Sequence, residues 1–212
     1  MRSLVVVATL ENVGSQRKGQ AMIDTETARE QVLAAADRLF YTRGIQAVGM
    51  DQVRAEAGIS LKKLYSVYPS KDALLVDVLK HRTRQWDAGL AETAASVDSP
   101  RDKLLAIYDF LDGWFTQDDF RGCAFINSFG ELGAVSPEVA AVARTQKSNF
   151  QRYVATLVDE VGAPPSLAPQ LSILAEGAQT TAAISGTPDA AAHARAAAAT
   201  LIDAALLDAA LA

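Results

Sequence analysis

The chain reads as an all-α protein of about nine helices, an N-terminal three-helix domain with a helix-turn-helix and then a larger C-terminal helical domain. Three observations predict this. Apolar residues recur at helical spacing along most of the chain. The stretch 32–79 places two short helices between two longer ones, with a cap or stop residue at each joint. Only 7 of the 212 residues are proline and aromatic content is a modest 7%, which suits helices. A chain that is 50% hydrophobic is also long enough to bury a substantial core.

The first helix is expected over residues 27–43. Val32, Ala36, Leu39 and Phe40 fall at i, i+4, i+7 and i+8 on one face. Thr27 and Glu30 have the spacing of a capping box. Gly44 suits a left-handed C-terminal cap, and Arg43 complements the helix dipole. A short helix over residues 50–57 follows, offering Met50, Val53 and Ala57 to a core. Gly58 supplies the tight turn, Ile59 plugs beneath it, and Ser60 caps the next helix. That helix, residues 61–67, is only about two turns and ends before Pro69. Leu64 and Tyr68 share its inner face, leaving Leu61, Lys62, Lys63, Tyr65 and Ser66 outward to varying degrees. Lysines, a phenol and a hydroxyl are the groups that contact phosphates and base edges, although a solvated face of an ordinary helical bundle has a similar pattern.

Ser70 caps a long helix to about residue 96, carrying Leu75, Val78, Leu79, Arg82 and Trp86 along one side. The basic run at residues 80–84 is most simply a solvated face. Pro100 opens a helix with Leu104, Ile107, Tyr108, Leu111, Trp114 and Phe115 on its apolar face. One or two short helices are expected over residues 120–132, a long one over 137–161 ended by Pro164 and Pro165, and two Ala-rich helices over about 166–185 and 188–211.

The segment from Ala36 to Leu75 resembles the DNA-binding domain of the TetR family of transcriptional repressors. Its matching pieces are Ala36–Phe40 (A-x-R-L-F), Arg43 and Gly44, Met50–Val53 (M-D-x-V), Ala57–Ser60 (A-G-I-S), Leu64 and Tyr65, and Tyr68–Leu75 (Y-P-S-K-x-A-L-L), in that order. The resemblance implies base-reading positions at Leu61, Lys62, Lys63 and Ser66, and phosphate contacts at Met50, Ser60, Tyr65 and Lys71. The chain departs from the family at Gly49, which has no capping hydroxyl, and at Leu61–Lys63, Ser66 and Val67. The operator of a relative therefore does not transfer.

On this reading residues 1–24 are a flexible arm, 25–72 the DNA-binding domain, and 73–212 an effector-binding and dimerisation domain. In the arm, Arg17 and Lys18 could reach a minor groove. An alternative start at Met22 is also open, and the apolar run at residues 4–10 is at the short limit for a signal peptide. A palindromic double-stranded operator calls for a homodimer with half-sites about 34 Å apart or a multiple. Dimer contacts are expected from Leu171, Leu174, Ala178, Ile184, Leu201 and Leu206 on the terminal helix pair. The effector is expected to be small and apolar or aromatic, bound among Trp86, Phe110, Trp114, Cys123, Phe125, Asn127, Phe129, Tyr153 and Gln179. Each of these residues also fits plain core packing. Cys123 is the single cysteine, which excludes an intramolecular disulfide and suits a reducing cytoplasm. It reads as a buried thiol or as an electrophile or oxidant sensor.

Net charge is −5, but residues 1–85 hold 13 Lys and Arg against 9 Asp and Glu, while the rest hold 7 against 16. The basic excess therefore coincides with the helix-turn-helix, and the acidic remainder would be repelled by DNA. No apolar run approaches the roughly 18 residues of a membrane span. His81 and His193 have no metal-ligand spacing, Asp118 and Asp119 sit at a helix break, and no nucleophile or phosphate-loop motif occurs. Neither catalysis nor a cofactor is expected. Two function classes stay open: a ligand-responsive, operator-binding regulator, and a small-molecule-binding helical dimer that acts through a protein partner without operator binding.

Overall fold

The computed structural model describes the backbone of residues 4–211 and the side chains of residues 24–211. Its described elements are all helices: α1 (Leu4–Arg43), α2 (Met50–Ala57), α3 (Leu61–Val67), α4 (Lys71–Ala95), α5 (Pro100–Phe115), α6 (Ala124–Leu132), α7 (Pro137–Glu160), α8 (Leu167–Ser185) and α9 (Ala190–Leu211). The chain divides into two units, Met1–Val78 and Leu79–Ala212, and the division falls inside α4.

Helix α1 begins earlier than its sequence signals suggest. Thr27 and Glu30 lie in its interior, so the capping box expected there is not a helix start: the backbone donors it would satisfy are already within the helix. The arm expected over residues 1–24, with Arg17 and Lys18, rests on side chains outside the described residues. The C-terminal end agrees with the sequence, with Gly44 at φ 85° and its N–H donating to Phe40 O.

In the first unit Val32, Ala36, Leu39 and Phe40 are all buried, and α2 and α3 both pack on α1. Val53 from α2, Leu64 and Val67 from α3, Tyr68, and Leu74, Leu75 and Val78 from α4 are buried as well. Ser70 Oγ accepts the N–H of Ala73, so α4 is capped where the sequence places the cap.

The second unit has its own core. Leu104, Ile107, Tyr108 and Leu111 of α5 meet Phe150, Val154 and Val158 of α7, Leu171 and Ala175 of α8, and Ala191, Ala198 and Ile202 of α9. Serine side chains cap α5 and α7: Ser99 accepts from Asp102 N–H, and Ser136 from Val139 N–H. Proline follows each serine at the first helical position, where its missing N–H costs nothing. Residues 120–132 yield a single helix, α6, preceded by turns. Gly186, at φ 72°, closes α8 and lets α9 return against it.

Small side chains on α8 and α9 permit close approach, and Tyr108 Oη ties α5 to α8 by donating to Leu171 O at 2.9 Å. Arg195–Asp109 at 2.6 Å and Arg101–Asp203 at 2.8 Å link α9 to α5. Exposed pairs of this kind contribute roughly 0–1 kcal/mol each, so burial, not charge, holds this unit together.

Candidate functional site

The connection between α2 and α3 is built from three local constraints. Gly58 adopts φ 68°, a left-handed conformation that a side chain would oppose. Its N–H and that of Ile59 fold back onto Ala55 O and Arg54 O, satisfying the end of α2. Ser60 then caps α3, its Oγ accepting the N–H of Lys63 at 3.2 Å. At the other end of α2, Gly49 indeed offers no side-chain cap. Gln52 compensates in part, its Oε1 accepting the Gly49 N–H at 2.8 Å.

Seven residues cannot sustain a helix alone, so α3 depends on its seat. Leu64, Val67 and Tyr68 are buried beneath it. On the outer side Leu61 is 44% and Tyr65 47% exposed, and Ser60, Lys62 and Ser66 are exposed beside them. These five of the residues singled out from sequence share one accessible surface. The other three are placed differently. Lys63 is half-buried and donates to Thr25 Oγ1 at 3.2 Å. Lys71 is half-buried, donates to Ile45 O and lies 5.7 Å from the Phe40 ring centroid. Met50 is half-buried at the start of α2. The ammonium groups of Lys63 and Lys71 thus make contacts inside their own unit.

Arg29 is a residue that sequence reading missed. Its guanidinium donates to Val67 O at 3.2 Å, pairs with Asp77 of α4, and lies 4.5 Å from the Tyr68 ring centroid. One side chain of α1 therefore holds the C-terminal end of α3 and the first half of α4. No local signal marks it, because its partners lie 38 and 48 residues away. Burial pushes the Tyr68 phenol up to about 12, against the pull of the Arg29 charge.

The residues expected to bind an effector do not form one cluster. Trp86, Phe110 and Trp114 do come together, with Trp86 centroids 5.1 Å from Phe110 and 5.6 Å from Trp114, both edge-on. Phe150 joins at 5.6 Å from Trp86, and Phe120 at 5.1 Å from Trp114, neither of which sequence singled out as a site residue. Within the same unit, Trp86 Nε1, Gln146 Oε1 and Gln179 Oε1 are buried without a hydrogen-bond partner among the described residues. A buried polar atom without a partner is costly, and such atoms mark where a ligand or water is received.

Cys123 is buried at the start of α6, with Lys147 Nζ 3.6 Å from its sulfur and 3.7 Å from Glu176. Phe125 is buried nearby in sequence. Asn127 and Phe129, in contrast, face out. Asn127 Nδ2 donates to Arg121 O, and the Phe129 ring lies under Arg144. Asn127, two residues from Phe125, is turned off the buried side of α6, whereas Phe129 lies one turn on from Phe125 and is still 43% exposed. Tyr153 lines a separate open groove of about 420 Å³ with Ala91, Val97, Lys103 and Leu157.

The expected dimer residues also separate. Leu171 and Ala178 are buried in the core of the second unit, and Leu174, Leu201 and Leu206 pack against that core. Ile184 alone of the six is fully turned outward, at 83% exposure. The exposed apolar face is carried instead by Ile173, Ile184, Leu207 and Leu211. Both helices are Ala-rich on every side, so their sequence gives no stripe that says which bulky residue points in.

A glycine-turned helix pair presenting a short outward helix is the arrangement of a helix-turn-helix. Comparison with known proteins agrees. Residues 32–78 match the family described as bacterial regulatory proteins, tetR family. The transcriptional activator FasR of Mycolicibacterium smegmatis is 32% identical over 129 residues, which span 60% of this chain and 57% of FasR. The transcriptional regulator YjdC of Escherichia coli is 27% identical over 152 residues, covering 70% of this chain and 80% of YjdC. Among solved structures, the TetR-family regulator SCO4454 from Streptomyces coelicolor superposes with a TM-score of 0.76 at 25% identity, over 86% of this chain and 96% of that one. A tetR-type regulator from Streptomyces avermitilis gives 0.75 at 29%, over 84% and 97%. Residues 32–78 carry the helix-turn-helix of the tetR family, and the chain as a whole is similar to TetR-family transcriptional regulators.

The raised Tyr68 value generates a pH prediction. The folded state holds the phenol proton more tightly than the unfolded chain, so the contribution is fully present below pH 10 and is lost as pH rises toward about 12. Tyr68→Phe should flatten the loss of stability in that window. Denaturant unfolding of both proteins from pH 9 to 12 checks it, and identical slopes would refute the assignment.

Proposed function

We propose that the protein acts as a homodimer that binds a palindromic operator through α3 and represses until a small apolar or aromatic molecule enters the second unit. The observation that carries this reading is the outward face of α3, where Leu61, Lys62, Tyr65 and Ser66 are exposed on a helix whose opposite side is buried. A surface that mixes apolar, cationic and hydroxyl groups on a rigid seat suits base edges and phosphates together. The basic excess of residues 1–85 supports the same orientation toward DNA. In this reading Ser60 and Tyr65, both exposed, contact phosphate oxygens. Lys71, Lys63 and Met50 act mainly by holding the module together.

Two copies are required to span two half-sites. The face bearing Ile173, Ile184, Leu207 and Leu211 is the proposed contact, since four large apolar side chains on two adjacent helices gain by covering one another. The proposed effector site is the Trp86, Phe110, Trp114, Phe150 cluster, with the buried, unpartnered indole N–H of Trp86 as its polar anchor. An effector shifts the protein toward a state that no longer fits the half-site spacing, by as much as it prefers that state. The site of action is the cytoplasm, where operator DNA lies. FasR is named an activator, so activation through the same module is the second reading, and the sign of the change in reporter transcription decides between them.

Selection from a random-sequence DNA pool should enrich an inverted repeat. Binding should weaken for Lys62→Ala, with the slope of log affinity against log salt falling by about 1 for each phosphate contact removed. A salt slope and an affinity both unchanged by the substitution would remove Lys62 from the interface.

Placing Asp at both Ile173 and Ile184 should yield a monomer by sedimentation velocity, with operator affinity lost and helicity kept. A double variant that stays dimeric would place the contact elsewhere.

Trp86 and Trp114 are the only tryptophans in the chain, so their fluorescence reports on the proposed effector site. Aromatic compounds that release the operator should quench this emission with the same midpoint. Release without any change in emission would rule out the cluster.

A further inference from the structure

Leu61 and Tyr65 are large apolar side chains left exposed one helical turn apart on α3, while Leu64, Val67 and Tyr68 fill the seat beneath. Folding gains little from a leucine that is 44% exposed. Its immediate neighbours Lys62 and Ser66 can donate hydrogen bonds, and Leu61 cannot. An aliphatic group at this place in a base-facing surface has one complementary feature in the major groove, the 5-methyl group of thymine. Guanine, adenine and cytosine present acceptors or an amino group there, and an aliphatic side chain pressed on them strips water without offering a partner. Leucine therefore discriminates in two ways, by contact with the methyl and by penalty against the alternatives.

We propose that Leu61 is a specificity-determining residue that reads the 5-methyl group of a thymine in each operator half-site. This rests on the operator-binding reading given above. Tyr65, one turn further on, covers the outer edge of the same contact and keeps water from it.

The test uses the full chain and the operator recovered by selection. Each thymine of the half-site is replaced in turn by deoxyuridine, which removes the methyl and leaves base pairing intact. One position per half-site should cost about fourfold in affinity, the size of one buried methyl group. Leu61→Ala should bind the thymine operator more weakly and lose nothing further from uracil at that position. Alanine is a better helix former at an exposed site, so the variant should keep the circular dichroism and melting profile of the parent. If no uracil position affects the wild type, or if uracil penalises Leu61→Ala equally, the assignment is overturned while the operator reading stands. If selection recovers no DNA, both are overturned.

Discussion

The outward face of α3 depends on the burial of three side chains under a seven-residue helix. A helix of two turns has too few internal hydrogen bonds to offset the cost of its nucleation. Leu64, Val67 and Tyr68 supply what is missing, and α1 supplies the surface that receives them. The left-handed Gly58 and the Ser60 cap set the angle at which the chain enters that helix. Arg29 sets how it leaves, through its bond to Val67 O and its stacking on Tyr68. Once the seat is filled, the outward face is determined by elimination, because residues offset from Leu64 around so short a helix have nowhere else to go.

The same fastening makes the first unit a means of orientation as well as a binding surface. Arg29 also pairs with Asp77, so the end of α3 and the first half of α4 share one guanidinium. Lys71 at the start of α4 bonds the carbonyl of Ile45 in the loop before α2. Arg29 of α1 thus ties α4 to the end of α3, and Lys71 ties it to the loop before α2. The second unit has a different character. Its aromatic rings meet edge-on around Trp86, a geometry favoured by ring quadrupoles, and its interior keeps buried polar atoms that no neighbour satisfies. A core selected for stability alone would have little use for such atoms.

The helix-turn-helix was legible in the sequence because its constraints are local. A glycine, a capping serine, a proline and an i, i+4 pair act over a handful of residues, and each left its mark at the position where the structure uses it. The start of α1 was not legible, since the Thr27 and Glu30 pattern of a cap also occurs inside a helix. Which bulky residues of α8 and α9 face outward was not legible for a related reason. In α8 and α9 alanine surrounds the bulky residues on all sides, so Leu171 and Ile173 look alike in sequence, yet one is buried and the other 70% exposed. Side-chain type alone groups Trp86, Phe110 and Trp114, which the fold brings into contact, with Asn127, Phe129 and Tyr153, which lie on other surfaces.

The sequence by itself determined the helices apart from the start of α1, the caps at Ser60 and Ser70, the turn of the helix-turn-helix and the family resemblance that these features carry. These follow from backbone conformation and hydrogen bonding between near neighbours, which a short window of residues specifies. The tertiary structure decided which lysines are tied inward, which isoleucines face out, and which rings surround Trp86. Those outcomes depend on contacts between residues tens of positions apart, such as Arg29 with Asp77 or Trp86 with Phe150, and such contacts exist only once the helices have packed.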